Sequence, residues 1–167
     1  MTASNEKSAP DDGRNDFDFL IGTWRTHNRR LRERLKGSTE WEEFPGRFVV
    51  RKLLGGLGNL DEVVLERPEG RTEAVTLRLF NPESRQWSIY WADSVTAVLQ
   101  PPMIGEFKDG RGRFYDQEMF EGRAIYCRFI WSEITATSCR WEQAYSADGG
   151  KTWETNWVME FTREGDV

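Results

Sequence analysis

From Trp24 onward, apolar and polar residues alternate with a period of two, and turn residues interrupt the alternation every eight to fifteen positions. Such alternation belongs to strands with one buried and one wetted face, and it leaves no room for the helices of a βαβ unit. Trp87, Ile89 and Trp91 share one face, as do Cys127, Phe129 and Trp131. Further on come Cys139, Trp141, Gln143 and Tyr145, and last Trp153, Thr155, Trp157, Met159 and Phe161. Over 72–80 the same reading puts Val75, Leu77 and Leu79 on one face, and the wetted faces receive Arg78, Arg128, Glu142, Glu154 and Glu160. About ten strands are predicted, over 23–35, 39–53, 59–67, 71–80, 86–93, 103–108, 111–119, 122–132, 137–146 and 152–163. The linkers 108–112 and 147–151 suit antiparallel hairpins. Ten such strands in one sheet tend to curl, and closure removes both edges. The predicted fold class is therefore all-β, an antiparallel up-and-down barrel, with a two-sheet sandwich as the alternative of equal periodicity.

A chain of 167 residues holds one domain. Residues 1–16 carry no large apolar side chain after Met1 and are expected to form a disordered leader, so the barrel domain spans 17–163 and 164–167 is a tail. Residues 17–21, a short apolar cluster, are expected to make one helical turn or a plug, with Asp16 as its N-cap and Gly22 ending it. Ten Phe, eight Trp and four Tyr need a core to enter. The net charge of −5 counts against a nucleic-acid module. No apolar run approaches the ~20 residues of a membrane helix, and the N-terminus lacks an apolar signal region. Two Cys in such a chain read as reduced thiols, so a soluble, cytoplasmic protein is expected. A homodimer is left open.

Gly22-Thr23-Trp24, following the apolar segment Asp18-Phe19-Leu20-Ile21, resembles the G-x-W signature of the calycin superfamily, the lipocalins, fatty-acid-binding proteins and their relatives. A wider likeness, to small bacterial lipocalin-like barrels, runs from Asp16 to Arg163 and includes the stretches 87–91 and 140–144. The resemblance implies that Trp24 closes the barrel floor and that Arg163 packs across it, which makes Gly22, Trp24 and Arg163 structural residues. A more distant likeness is to the nitrobindins, which hold haem through a His late in the chain. The single His here, His27, lies on the first strand, and Met159, Tyr145 or Cys139 would be poor substitutes. No cofactor is expected.

Ser146-Ala147-Asp148-Gly149-Gly150-Lys151-Thr152-Trp153 fits the Asp-box pattern, in which Asp148 organises the turn and Trp153 packs beneath it. One box in a chain of this size does not make a propeller. The glycine-rich segment 53–59 precedes a strand, not a helix, and reads as a connection near the barrel mouth, not a phosphate loop. Arg25, Arg29, Arg30, Arg32, Arg34 and Lys36 mark a solvated strand. With Trp24 inward, parity sends Thr26, Asn28 and Arg30 inward too, and a buried Arg30 requires a carboxylate or an anionic ligand group. His27 then faces out, so neither a metal site nor a Ser-His-Asp triad can be built. Because most Glu residues fall on wetted faces, no carboxylate pair can be located.

The inward stripe of Trp87, Trp91, Trp131, Trp141, Trp153 and Trp157, with Gln143, Tyr145 and Thr155 as polar members, describes a small-molecule pocket. The expected ligand-binding set is Asn28, Arg30, Trp91, Trp131, Gln143, Tyr145 and Trp157, around a small apolar or aromatic molecule with a polar or anionic end near Arg30. The second reading is a cofactor-free isomerase, cyclase or hydratase in which Tyr145 or Asp61 handles the proton.

Overall fold

The computed structural model describes residues 11–165. Among them, ten strands run β1 (Gly22–Leu31), β2 (Trp41–Leu53), β3 (Gly58–Arg67), β4 (Gly70–Asn81), β5 (Gln86–Asp93), β6 (Met103–Lys108), β7 (Arg111–Phe120), β8 (Arg123–Ser132), β9 (Ser138–Ser146) and β10 (Glu154–Gly165). Each is antiparallel to its sequence neighbour, and β1 closes the sheet by pairing with β10 as well as β2. The barrel, not the sandwich, is the fold. The first strand ends at Leu31 rather than at 35, and residues 32–40 form the connection to β2.

One end of the barrel is filled. A single 3-10 turn, Asp18–Leu20, carries Phe17 and Leu20 into the interior. There Phe17 meets Phe107 and Trp87 edge-on, at ring-centroid distances of 4.8 and 5.0 Å. Asp16 does not cap this turn: the capping position is Phe17, without a side-chain hydrogen bond, and the Asp16 N–H donates to the Gly13 carbonyl. That carbonyl also accepts the Trp87 indole N–H at 3.1 Å, so packing begins within the segment expected to be a disordered leader. Residues 1–10 of that leader, and 166–167 of the tail, lie outside the described residues. The glycine-rich connection 53–59 is at this plugged end, not at the mouth: Lys52 beside it reaches Asp18 at 3.0 Å.

The inward face follows the alternation on β1, β5, β8 and β9 but not on β4. Ala74, Thr76, Arg78 and Phe80 are buried there, while Val75 is 37% exposed and Leu77 and Leu79 are only partly covered. Arg78 therefore belongs to the interior, against expectation. The pairing of Asp61 with Thr76 and of Asn59 with Arg78 across β3 and β4 places polar partners inside for the guanidinium. Phe80 then packs against Trp87, at 5.3 Å. A face chosen this way applies to the whole strand, since strand side chains cannot be inverted singly.

Two further expectations fail at the start of β10. Trp153 precedes the strand and lies outside the barrel, with the Arg128 guanidinium 4.4 Å from its ring centre and its indole N–H donated to the Gly150 carbonyl. Between Thr155 and Trp157 the register shifts by one residue, the signature of a bulge, so Thr155 stands opposite Ala144 while Trp157 stands opposite the inward Gln143.

Candidate functional site

Above the plug the barrel encloses a cavity of about 280 Å³. Its apolar wall is Phe48, Ile89, Met103, Phe129 and Met159 together with the indoles of Trp91, Trp131, Trp141 and Trp157. Trp141 and Trp157 meet edge-to-face at 5.4 Å, and Trp91 meets Trp157 in the same manner at 6.4 Å. The β5–β6 connection covers the mouth through Thr96, Gln100 and Pro101. It is tied down where the Gln100 N–H donates to the Trp91 carbonyl at 2.8 Å and the Ala97 N–H to the Asp93 carbonyl at 2.8 Å.

Five of the seven residues expected to bind a ligand, Trp91, Trp131, Gln143, Tyr145 and Trp157, line this cavity. Asn28 and Arg30 do not. Asn28 is buried behind the wall and accepts the Trp157 indole N–H at 3.0 Å, which fixes that ring. The Arg30 guanidinium lies 5.0 Å from the Trp157 ring centre. Of the two partners expected, a carboxylate or an anionic ligand group, the carboxylate is not found: Glu42, opposite Arg30 on β2, is taken by Arg67 at 2.7 Å, and Arg30 rests on an aromatic face. Burial, with the charges of Arg34 and Arg67, lowers the Arg30 pKa to about 10.

Polar groups hold the rest of the wall. Gln143 donates to Asn156 at 2.8 Å, and the Tyr145 hydroxyl accepts from Arg34 at 2.9 Å. Burial pushes the Tyr145 phenol up to about 12, so it stays protonated near neutrality. Asp61 does not line the cavity. It sits beneath it with Oδ2 2.8 Å from Arg78 Nη2, a short ion pair out of line for a hydrogen bond, while Oδ1 accepts the Thr76 N–H at 2.8 Å. The Arg78 guanidinium also donates to Asn59 at 2.9 Å. This charge is spent inside the wall.

A carboxylate pair is present after all, on β7, whose inward alternation was not read from the sequence. Asp116 and Glu118 point into the cavity, and the Cys127 thiol joins them from β8. One donor atom from each of the three lies within 4.8 Å of the others, the spacing of groups that could hold a cation. Burial first, then the Glu118 charge and its hydrogen bond, raise the Asp116 pKa to about 7. Burial also pushes the Cys127 thiol up, so it is protonated. The signal was there in Phe114, Asp116, Glu118 and Phe120, spaced two apart, but two acids on an inward face contradict the assumption that carboxylates belong outside.

The single histidine, His27, faces out beside Glu43 at 3.0 Å. No helix among the described residues is long and apolar enough to cross a membrane.

No protein-family model matches this sequence, and no curated protein matches it. Among solved structures, the S-type phycobiliprotein lyase CPES from Guillardia theta is similar in fold, with a TM-score of 0.59 and 12% identity over 93% of this chain and 97% of that chain. The chain is a closed ten-stranded antiparallel barrel, and it shares its overall fold with that lyase. At this identity the likeness extends to architecture and stops short of chemistry.

Proposed function

We propose that this protein binds a small, mainly aromatic or apolar molecule inside the barrel. The observation that carries this reading is the 280 Å³ cavity walled by four indoles. Flat aromatic faces with a few fixed polar groups suit an aromatic guest, and a barrel of this kind accommodates one where its side chains leave room. The solved neighbour of similar fold is a phycobiliprotein lyase, a likeness that supports ligand binding in a barrel. Wall residues Trp91, Trp131, Gln143, Tyr145 and Trp157 make the contacts; Asn28 and Arg30 hold Trp157 in place from behind. The unpaired, buried Cys127 and Cys139 fit a reducing compartment such as the cytoplasm. Native mass spectrometry of protein purified from its own host tests the reading. A retained small molecule, lost on Trp157→Ala, is expected; an empty barrel that also takes up no aromatic probe would overturn it.

A second reading, a cofactor-free acid–base enzyme, draws on Asp116. A carboxyl with a pKa of about 7 both gives and takes protons near neutrality, as a general acid or base must. Asp116 thereby replaces Tyr145 and Asp61 as the proton-handling group: Tyr145 holds its proton too tightly, and Asp61 is committed to Arg78.

A further inference from the structure

The charges on the cavity wall are unbalanced. Among the described residues lining it, Arg78 is basic and three are acidic, Asp93, Asp116 and Glu118. Arg78 is matched by Asp61. Asp93 accepts the Trp91 indole N–H and the backbone N–H groups of Val95 and Thr96, at 3.0, 3.0 and 3.2 Å. Burial raises its pKa, but these donors outweigh burial and hold it below its ordinary range. Asp116 and Glu118 have no ion-pair partner among the described residues, and the buried Asp116 Oδ1 has no donor other than the carboxyl of Glu118 itself. Two donors of the wall are also buried without an acceptor, the Trp131 indole N–H and Arg78 Nε, and these face the aromatic or polar body of a guest, not its cationic nitrogen. Buried polar atoms are rarely left without partners, so this pattern fits a wall built to bind a ligand.

We propose that the occupant of the aromatic cavity is an organic ammonium compound, an aromatic or apolar body whose protonated nitrogen sits between Asp116 and Glu118; this rests on the binding function proposed above. Carboxylates supply the counter-charge, and indole faces attract the same cation through their quadrupoles. A bare metal ion would leave most of the cavity unfilled, since its volume is roughly ten times the ~30 Å³ share of a water molecule. The groups that face the pair are the Cys127 thiol on β8, the Tyr145 phenol on β9 with Arg34 behind it, and Arg78 and Asp93 across the barrel on β4 and β5. On β6 the inward positions are Met103, Gly105 and Phe107, none of them titratable. Asp116 releases its proton near pH 7, so its negative charge is present above that pH and lost below it.

Calorimetry with three probes of matched shape tests this: 2-phenylethylammonium, propylbenzene and 3-phenylpropionate. Near pH 8 the ammonium is expected to bind at least about tenfold more tightly than propylbenzene, and the carboxylate most weakly. Its affinity should fall several-fold near pH 6 while that of propylbenzene stays constant. The double variant Asp116→Asn, Glu118→Gln should lose the preference and keep its affinity for propylbenzene; it removes a like-charge contact, so an unchanged or higher denaturation midpoint verifies folding. Equal binding of ammonium and propylbenzene, or a preference that survives the double variant, overturns the ammonium proposal and leaves the aromatic pocket standing. Failure of all three probes overturns both. Stoichiometric binding of zinc that expels the ammonium and is abolished by Cys127→Ala would assign the cluster to a metal instead.

Discussion

The Arg163 guanidinium lies 4.2 Å from the centre of the Trp24 ring, while its two Nη groups donate to the carbonyls of Ile21 and Phe19, each at 2.6 Å. Trp24 in turn donates its indole N–H to the Leu20 carbonyl at 2.8 Å. Together they tie the plug to the seam between β1 and β10, where Trp24 and Arg163 are paired in register. Trp24→Ala should cost about 3–5 kcal/mol, the range for a buried aromatic. Urea denaturation reads it, and a loss below about 1 kcal/mol would mean that the floor contributes little.

Gly22 faces the same guanidinium with φ of +129°. A β-carbon there would collide with Arg163 and sit in a conformation that L-residues avoid. Gly22→Ala should lower the denaturation midpoint more than Gly165→Ala, where a β-carbon meets nothing within 4 Å.

The Asp61–Arg78 pair predicts non-additive energetics. Arg78→Met strands a carboxylate that is fully buried and should cost about 3–5 kcal/mol. Adding Asp61→Asn removes the stranded charge, so the double variant should be more stable than Arg78→Met alone. A double-mutant cycle with additive losses would show that the two charges do not interact.

Asp116 makes stability depend on pH with a definite sign. Its folded pKa, about 7, is above the ordinary aspartate value of 3.8, so the folded state binds more protons in the interval between them. Stability should therefore fall as pH rises from about 4 to about 7, then level off. Because the group is partly solvated, its share is about 1–2 kcal/mol, well below what the full shift would give. Asp116→Asn should flatten this slope and raise stability near pH 8. An unchanged slope in the variant would remove Asp116 as its source.

Inward and outward substitutions should separate cleanly in probe binding. An apolar fluorescent probe should quench tryptophan emission, and Trp131→Ala or Trp157→Ala should weaken it about tenfold or more. Arg128→Ala and Glu142→Ala, on the outer face, should leave it within about twofold. Equal effects from both sets would put the probe outside the barrel.

Strand number and the aromatic wall were legible because period-two alternation is a local property, written residue by residue from Trp24 to Phe161. A barrel and a sandwich share that period, and the β1–β10 pairing decided between them. The Gly22-Thr23-Trp24 start and the late Arg163 were likewise readable as the two sides of one closure. What alternation cannot say is which of a strand's two faces turns inward. On β4 that was decided by Asp61 and Asn59 on the neighbouring strand, which offer Arg78 its partners and leave Val75 at the surface. At Asn156 a single extra residue reset the parity of β10 and separated Thr155 from Trp157. Asp116 and Glu118 became a half-buried pair on the cavity wall only when closure brought β7 into one cavity with the indoles of β9 and β10. The raised pKa of Asp116 comes first from desolvation, which needs the other strands to exclude water, and then from the Glu118 charge two residues along the same strand.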